Sequence, residues 1–431
     1  MFKSSKNILW FKNISLKDVL LVGGKNAALG EMFSNLKKLG INMPDGFAVT
    51  AKAYNLFIKE AGLKKNIEAI LGDLDTKNIC QLKKAGVTAR QLIINASLPP
   101  KLERDILNSY QLLAKKYGDN PDVAVRSSAT AEDLPGASFA GQQETYLNIR
   151  GDKELLLSVK KCFASLFTDR ALSYRADKGF PLYKDIALSV AVQKMIRSDL
   201  AASGVAFTND VETGFDKVII INSSYGLGES VVQGAVIPDE FTIFKPTLDG
   251  HYDPIIAKNL GSKAVQVIYS TKGSTKTIKT PAIKQQCYSL KNDEVIKLAQ
   301  WCVVLEKHFS KKYGWYQPMD IEWAKDGQTK ELFILQARPE TVHSIKNSNE
   351  YEEYKLKKEG EALATGAAIG SKIAVGKARV IKDAKDIHKF KKDEVLVNTI
   401  TDPDWEPIMK IATAIVTYKG GSTSHDAIVY S

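Results

Sequence analysis

Gly23-Gly24-Lys25-Asn26 opens a run of helical periodicity, and it is the first place where this chain could hold an anion. Free backbone N–H groups and the positive end of a helix dipole favour phosphate at such a turn, and Lys25 would add a mobile cation. The spacing of a P-loop is missing, so a plain turn with a solvated lysine fits the same residues. A second segment, VAVRSSATAEDLPGASFAGQQET over residues 123–145, places Arg126 near the end of a strand-like run and follows it with small hydroxyl residues and glycines. A guanidinium can clamp phosphate through two parallel hydrogen bonds, which lysine cannot do. The stretch from Ser127 to Gly141, with Gly136 inside it, has the composition of a loop that closes over nucleotide phosphates, with an ordinary surface loop as the alternative.

Further along, PMDIEW and ELFILQARPET flank a turn at Asp326-Gly327 that suits a hairpin. Strand alternation puts Asp320 and Glu322 on one face of the first strand and Gln336 and Arg338 on one face of the second. If the register aligns those faces, two acids and an amide oxygen become hard ligands for Mg2+, with Arg338 beside them for phosphate; a merely solvated face is the other reading. INSSYGLGESVVQGAVIPDEF, residues 221–241, reads as a strand leading through Gly226 and Gly228 into a helix. Last, KGGSTSHDAIV sets His425 behind two glycines and three hydroxyl residues at the start of a helical pattern. A neutral imidazole nitrogen accepts a phosphoryl group near pH 7, and a following helix N-terminus would stabilise the charge gained. His251, His308, His343 and His388 lack such settings.

These residues need a scaffold of α/β type. Leu29, Met32, Phe33 and Leu36 recur at helical spacing over residues 24–39 and Gly40 follows as a stop. IALSVAVQKMI, VIIIN, MDIEW and ELFILQA read as strands with helical segments between them. Residues 346–363 are polar and charged and read as a linker; KIAVGKARVI, EVLVNTI and TAIVTY then suggest three strands of a small second domain. With 431 residues the chain is long enough for two or three compact units. No apolar stretch reaches the roughly 18 residues that a membrane helix needs, and the early run Ile8 to Phe11 is too short for a signal-peptide core. A soluble cytoplasmic protein with no membrane partner is therefore expected. Cys80, Cys162, Cys287 and Cys302 form no C-x-x-C pair and read as buried thiols in a reducing compartment. The formal net charge of +11 raises nucleic acid as a partner, but the basic residues are interleaved with acids rather than blocked together. A small polyanion such as ATP accounts for the charge, and no nucleic-acid partner is expected.

Taken in order, VGGKNAALGEM, VAVRSSATAEDLPGASFAGQQETYLNI, KMIRSDLAASG, GLGESVVQG, PMDIEW, ILQARPET and GGSTSH resemble the phosphoenolpyruvate synthase (pyruvate, water dikinase) family from about residue 8 to the end. The resemblance implies an ATP-grasp-like nucleotide-binding region over residues 1–345, in two subdomains split near residue 200, and an incomplete swivelling phosphohistidine domain over 364–431. It implies a phosphotransferase using ATP and Mg2+, in which ATP, pyruvate and water become AMP, phosphoenolpyruvate and phosphate. By the same resemblance Lys25, Arg126, Gly136 and Gly141 would hold ATP phosphates. Glu322 and Gln336 would hold Mg2+ with Asp320 nearby, Arg338 would stabilise the transferring group, and His425 would carry it. Thr423 looks like the threonine that a regulatory kinase/phosphorylase modifies, since phosphate there would repel a phosphoryl group arriving at His425.

Two departures shape the expectation. Asp426 stands where relatives carry a small apolar residue, and its carboxylate would compete for the helix N–H donors. The barrel that binds pyruvate in that family is not in this sequence, so the chain is expected to supply only the ATP half-reaction, with pyruvate taken by a missing C-terminal domain or a separate chain. A non-catalytic ATP-binding fragment or remnant, and a related ATP-grasp dikinase such as an antibiotic phosphotransferase, are the alternatives.

Overall fold

In a computed structural model the described residues are 3–76, 78–130, 144–177, 179–183, 187–211, 213–250, 252–270 and 273–340, with 355, 357–358, 360–361, 364–366, 373–399, 405–409 and 411–418 beyond them. Gly136, Gly141, Thr423, His425 and Asp426 lie outside the described residues. The fold is mixed helix and sheet, as expected.

Five strands make a first antiparallel sheet: β1 (Ile8–Trp10), β2 (Gly46–Val49), β3 (Val123–Ala129), β4 (Thr145–Ile149) and β5 (Leu188–Lys194), in the order β1-β2-β5-β3-β4. The chain continues through β6 (Ala202–Phe207), β7 (Val218–Tyr225), β8 (Asp239–Phe244), β9 (Ile255–Asn259), a separate hairpin of β10 (Val265–Tyr269) and β11 (Thr275–Lys279), then β12 (Met319–Lys325) and β13 (Leu332–Pro339). Its second antiparallel sheet has the order β13-β12-β6-β7-β8-β9.

Period-two alternation decides what each sheet faces. On the first sheet, Phe47, Val49, Val123, Val125, Val190 and Val192 turn to one side, into a core shared with α2 (Ala51–Glu60), α3 (Leu63–Leu71), α4 (Ile79–Asn95), α5 (Pro100–Tyr117) and α6 (Asp152–Ala164). Ala48 and Ala191 turn to the other side and meet α1 (Val19–Asn35). On the second sheet, Ile219, Ile221, Phe241, Ile243, Ile321 and Trp323 pack into the core of α1, Ala48 and Ala191 with α10 (Asn292–Tyr313) behind them, leaving Asp320, Glu322 and Asn222 on the opposite face beside Val205 and Phe207. Between these helices in the chain lie α7 (Asp169–Asp177), α8 (Glu229–Val232) and α9 (Ala282–Gln285).

The expected helix at 24–39 is observed with a different start and end. Helical structure begins at Val19, is interrupted by Gly23 at φ 77 and ψ 164, and closes at Asn35, with a single 3-10 turn, Lys37–Leu39, running into Gly40. The helix expected after Gly228 is one turn only, α8, because Gly234 at φ 65 ends it. The expectation of four buried thiols is corrected as well. Cys162 and Cys302 are buried, but Cys80 stands exposed on the first turn of α4 and Cys287 is exposed just after α9. No described helix is long and apolar enough to cross a membrane. Near the C-terminus, β14 (Ala378–Val380), β15 (Val395–Asn398) and β16 (Ala414–Thr417) form a small parallel sheet. Ile381, Phe390, Leu396, Trp405, Ile408 and Met409, the last two on α11 (Glu406–Met409), pack together beside it.

Candidate functional site

The polar patch of the second sheet is assembled by one register. Asp320 pairs with Arg338 and Glu322 with Gln336 across β12 and β13, so all four side chains share a face. The hairpin turn that fixes this register is held by Asp326, whose Oδ1 accepts from the backbone N–H of Gln328 at 2.7 Å and Thr329 at 3.0 Å. A bulge follows between Glu322 and Trp323, and the Leu335 carbonyl near it accepts Gln193 Nε2 of β5 at 3.2 Å, a direct link between the sheets.

Facing it, β3 of the first sheet presents Arg126, which forms an ion pair with Glu322. This contact joins residues 196 positions apart and puts a cation from one sheet on an anion from the other. Arg338 is bound to its cross-strand neighbour Asp320, through Nε at 2.7 Å and a terminal guanidinium nitrogen at 2.6 Å. The two acids expected as open metal ligands are thus each engaged by an arginine, because strand register sets one partner and sheet packing the other. Burial pushes the Glu322 carboxyl up, but Arg126, Lys25 and Arg338 more than offset this and hold it below the ordinary glutamate range. It is therefore ionised at neutral pH.

Lys25 reaches this group because of the Gly23 interruption. A Cβ at Gly23 would come within 2.2 Å of Ser128 Oγ and 2.6 Å of the Ser128 carbonyl, so the turn lies directly on β3. The Asn26 N–H donates to Ser128 Oγ at 3.4 Å, and its side-chain amide donates to Ser189 Oγ at 3.1 Å. Lys25, Arg126, Glu322, Gln336, Asp320 and Arg338 are consequently brought together from four elements. Ser127 and Glu144, which flank the Gly-rich stretch, are tied to each other by Ser127 Oγ accepting the Glu144 N–H at 3.1 Å, and Arg170 holds the Glu144 carboxylate at 3.1 Å.

Among the described residues no three His, Cys, Asp or Glu side chains converge as a metal cage. A small hard cation does not require one: Mg2+ usually takes one or two carboxylates and completes its shell with water and phosphate oxygens. An ionised glutamate, an aspartate and the Gln336 amide on one face fit that demand.

Sequence reasoning missed the apolar end of the same cleft. Ala124 lies two residues from Arg126 on the same face of β3, and it packs with Met195, Leu227 and Val267, flanked by Leu147 and Tyr269. These residues come from the first sheet, the segments just after β5 and β7, and hairpin β10–β11, so no local pattern reveals them. Also missed were Asn222 and Ser224 on β7. They are 2% and 1% exposed, and Asn222 Nδ2 and Ser224 Oγ have no hydrogen-bond partner among the described residues. Asn222 aligns through Val205 with Glu322 and so shares its face. The break they make in the apolar run VIII was the available signal.

Residues 19–359 match the family described as the pyruvate phosphate dikinase AMP/ATP-binding domain, and residues 390–430 match the PEP-utilising enzyme mobile domain. Curated relatives include proteins named phosphoenolpyruvate synthase from Synechocystis sp., 52% identical over 99% of this chain and 53% of that protein, from Helicobacter pylori, 50% identical over 98% and 53%, and from Escherichia coli, 48% identical over 99% and 53%. The chain spans about half the length of the curated relatives it matches.

Proposed function

Because the chain belongs to the pyruvate phosphate dikinase AMP/ATP-binding domain family, we propose that it binds ATP between its two sheets and passes phosphate from it to His425. The observation that carries this reading is the facing of Arg126 and Lys25 from the first sheet and α1 with Glu322, Gln336, Asp320 and Arg338 from the second. Cations and hard oxygen donors in one cleft are what a nucleoside triphosphate and its cation together require. The base packs at the apolar end, against Ala124, Met195, Leu227 and Val267.

Lys25 and Arg126 bind and orient the phosphates, with Gly136 and Gly141 as further ATP-binding positions, and Arg338 faces the group in transfer. Glu322 and Gln336, with Asp320 nearby, hold Mg2+, which when bound supplies charge neutralisation on the phosphate oxygens. The His425 imidazole nitrogen bonds to the β-phosphorus, the bond from that phosphorus to the α–β bridging oxygen breaks, and AMP leaves. Water then releases the terminal phosphoryl group as phosphate. The remaining phosphoryl group goes to the enol oxygen of pyruvate, giving phosphoenolpyruvate; pyruvate is taken by a further domain or a separate chain. In this reading residues 1–345 are the ATP-binding region, 346–363 a linker and 364–431 part of the swivelling phosphohistidine domain of a cytoplasmic enzyme, with Thr423 as its regulatory position.

The test is incubation with Mg2+ and ATP labelled in the β-phosphate. Acid-labile label that His425→Ala abolishes is expected, together with an ATP affinity lowered at least tenfold in Glu322→Gln. Absence of label, with ATP affinity indifferent to Glu322→Gln, contradicts the proposal.

A further inference from the structure

The apolar end of the cleft is closed. Ala124, Met195, Leu227 and Val267 are each only 3–7% exposed, so a base packs among them only when a covering element moves. Their cover is the hairpin β10–β11, which hydrogen-bonds as a strand to neither main sheet.

The hairpin is anchored unevenly. At its root, Lys263 makes an ion pair with Asp239 in which both side chains are 0% exposed, and the Thr280 N–H donates to the Ala264 carbonyl at 3.0 Å. Asp239 is also fastened by the N–H and hydroxyl of Ser289, at 2.8 and 2.7 Å. Midway, the Leu227 N–H donates to the Val267 carbonyl at 2.9 Å. Towards the first sheet, two side-chain hydrogen bonds among the described residues fasten it. Tyr269 Oη donates to Asp122 Oδ2 at 2.6 Å, and Asn148 Nδ2 donates to the Ser274 carbonyl at 2.9 Å. Asp122 immediately precedes β3, is also held by Lys194, and its carbonyl accepts the Met195 N–H at 3.0 Å. Arg197 covers the Tyr269 ring, 4.5 Å from its centroid.

We propose that Tyr269 and Asp122 are positioning residues for the nucleotide: they latch hairpin β10–β11 across the base end of the cleft, and the base enters and leaves when this latch parts. A fixed root and a far end fastened by side-chain hydrogen bonds make a strap, and the loss of one bond to a charged acceptor shifts its opening by roughly tenfold. This inference rests on the proposal that the cleft binds ATP.

Stopped-flow binding of a ribose-labelled fluorescent ATP analogue, with Mg2+ present, tests it. Tyr269→Phe is expected to raise both the association and the dissociation rate about tenfold while Kd changes little. As a second arm, Asn148→Cys with Ser274→Cys, in a Cys80→Ser and Cys287→Ser background, is expected to slow association when oxidised and to regain it on reduction. An unchanged association rate in Tyr269→Phe, or unhindered binding by the oxidised lock, overturns the latch and leaves the ATP reading standing. A wild-type chain that binds no nucleotide overturns both.

Discussion

Glu31 illustrates how single side chains hold this molecule together. Its carboxylate accepts from Lys312 at 2.9 Å, lies 3.0 Å from His308 Nε2 and 3.1 Å from Asn35 Nδ2, and so joins α1 to α10. Burial pushes its carboxyl up, but Lys312 and His308 bring it below the ordinary value of 4.5. A depressed carboxyl stabilises the fold above its unfolded pKa, and that contribution drains away as pH falls through the lower folded value. The melting temperature is therefore expected to fall on acidification below about pH 4.5, with Glu31→Gln roughly 1–3 kcal/mol less stable at neutral pH and less sensitive to acid over that interval. Thermal melts of both proteins across that range check this; parallel pH profiles would contradict it. Alternation alone placed Asp320 with Glu322 and Gln336 with Arg338, because strand period is local. It could not reveal that Arg338 would bind Asp320 or that Arg126 would bind Glu322, since those partners depend on register and on the meeting of distant strands.

At the scale of elements, the turn before α1 is the most exacting. Gly23 combines φ 77 with a backbone pressed onto Ser128, so Gly23→Ala meets both left-handed strain and a direct clash. The expected cost is about 2–4 kcal/mol in chemical denaturation. The displaced Lys25 should also weaken ATP binding, and a variant with native stability would show that the turn can shift without strain. The glycines of this turn were legible in the sequence; the interruption inside a longer helix was not, because its cause is the Ser128 carbonyl, a hundred residues away. The same limit explains α8. Gly226 and Gly228 marked a sharp change of direction and Gly234 closes the turn after them, yet only packing against β6 and hairpin β10–β11 sets where that turn lies, with Val231 on Val205 and Phe207.

At the scale of the whole molecule, the first sheet has its own core under α2–α6, and its other face shares a second core with the six-stranded sheet. Ala48 and Ala191 of the first sheet and Ile219, Ile321 and Trp323 of the second belong to one buried cluster, with α1 and α10 threaded through it. Calorimetry is accordingly expected to show residues 3–340 unfolding in one cooperative transition, and two resolved transitions within that region would count against a shared core. The split near residue 200 is an expectation of the resemblance, whereas the mixing of side chains from both sheets belongs to packing alone. The uneven burial of the cysteines has a practical side. Cys162 and Cys302 are enclosed, the latter with its thiol pushed up to about 12, while Cys80 and Cys287 face solvent. The native chain thus comes with two chemically addressable handles, and a dye placed at Cys287, whose carbonyl lies 3.4 Å from the Tyr225 hydroxyl, would report from the end of β7, beside the loop on which the hairpin rests.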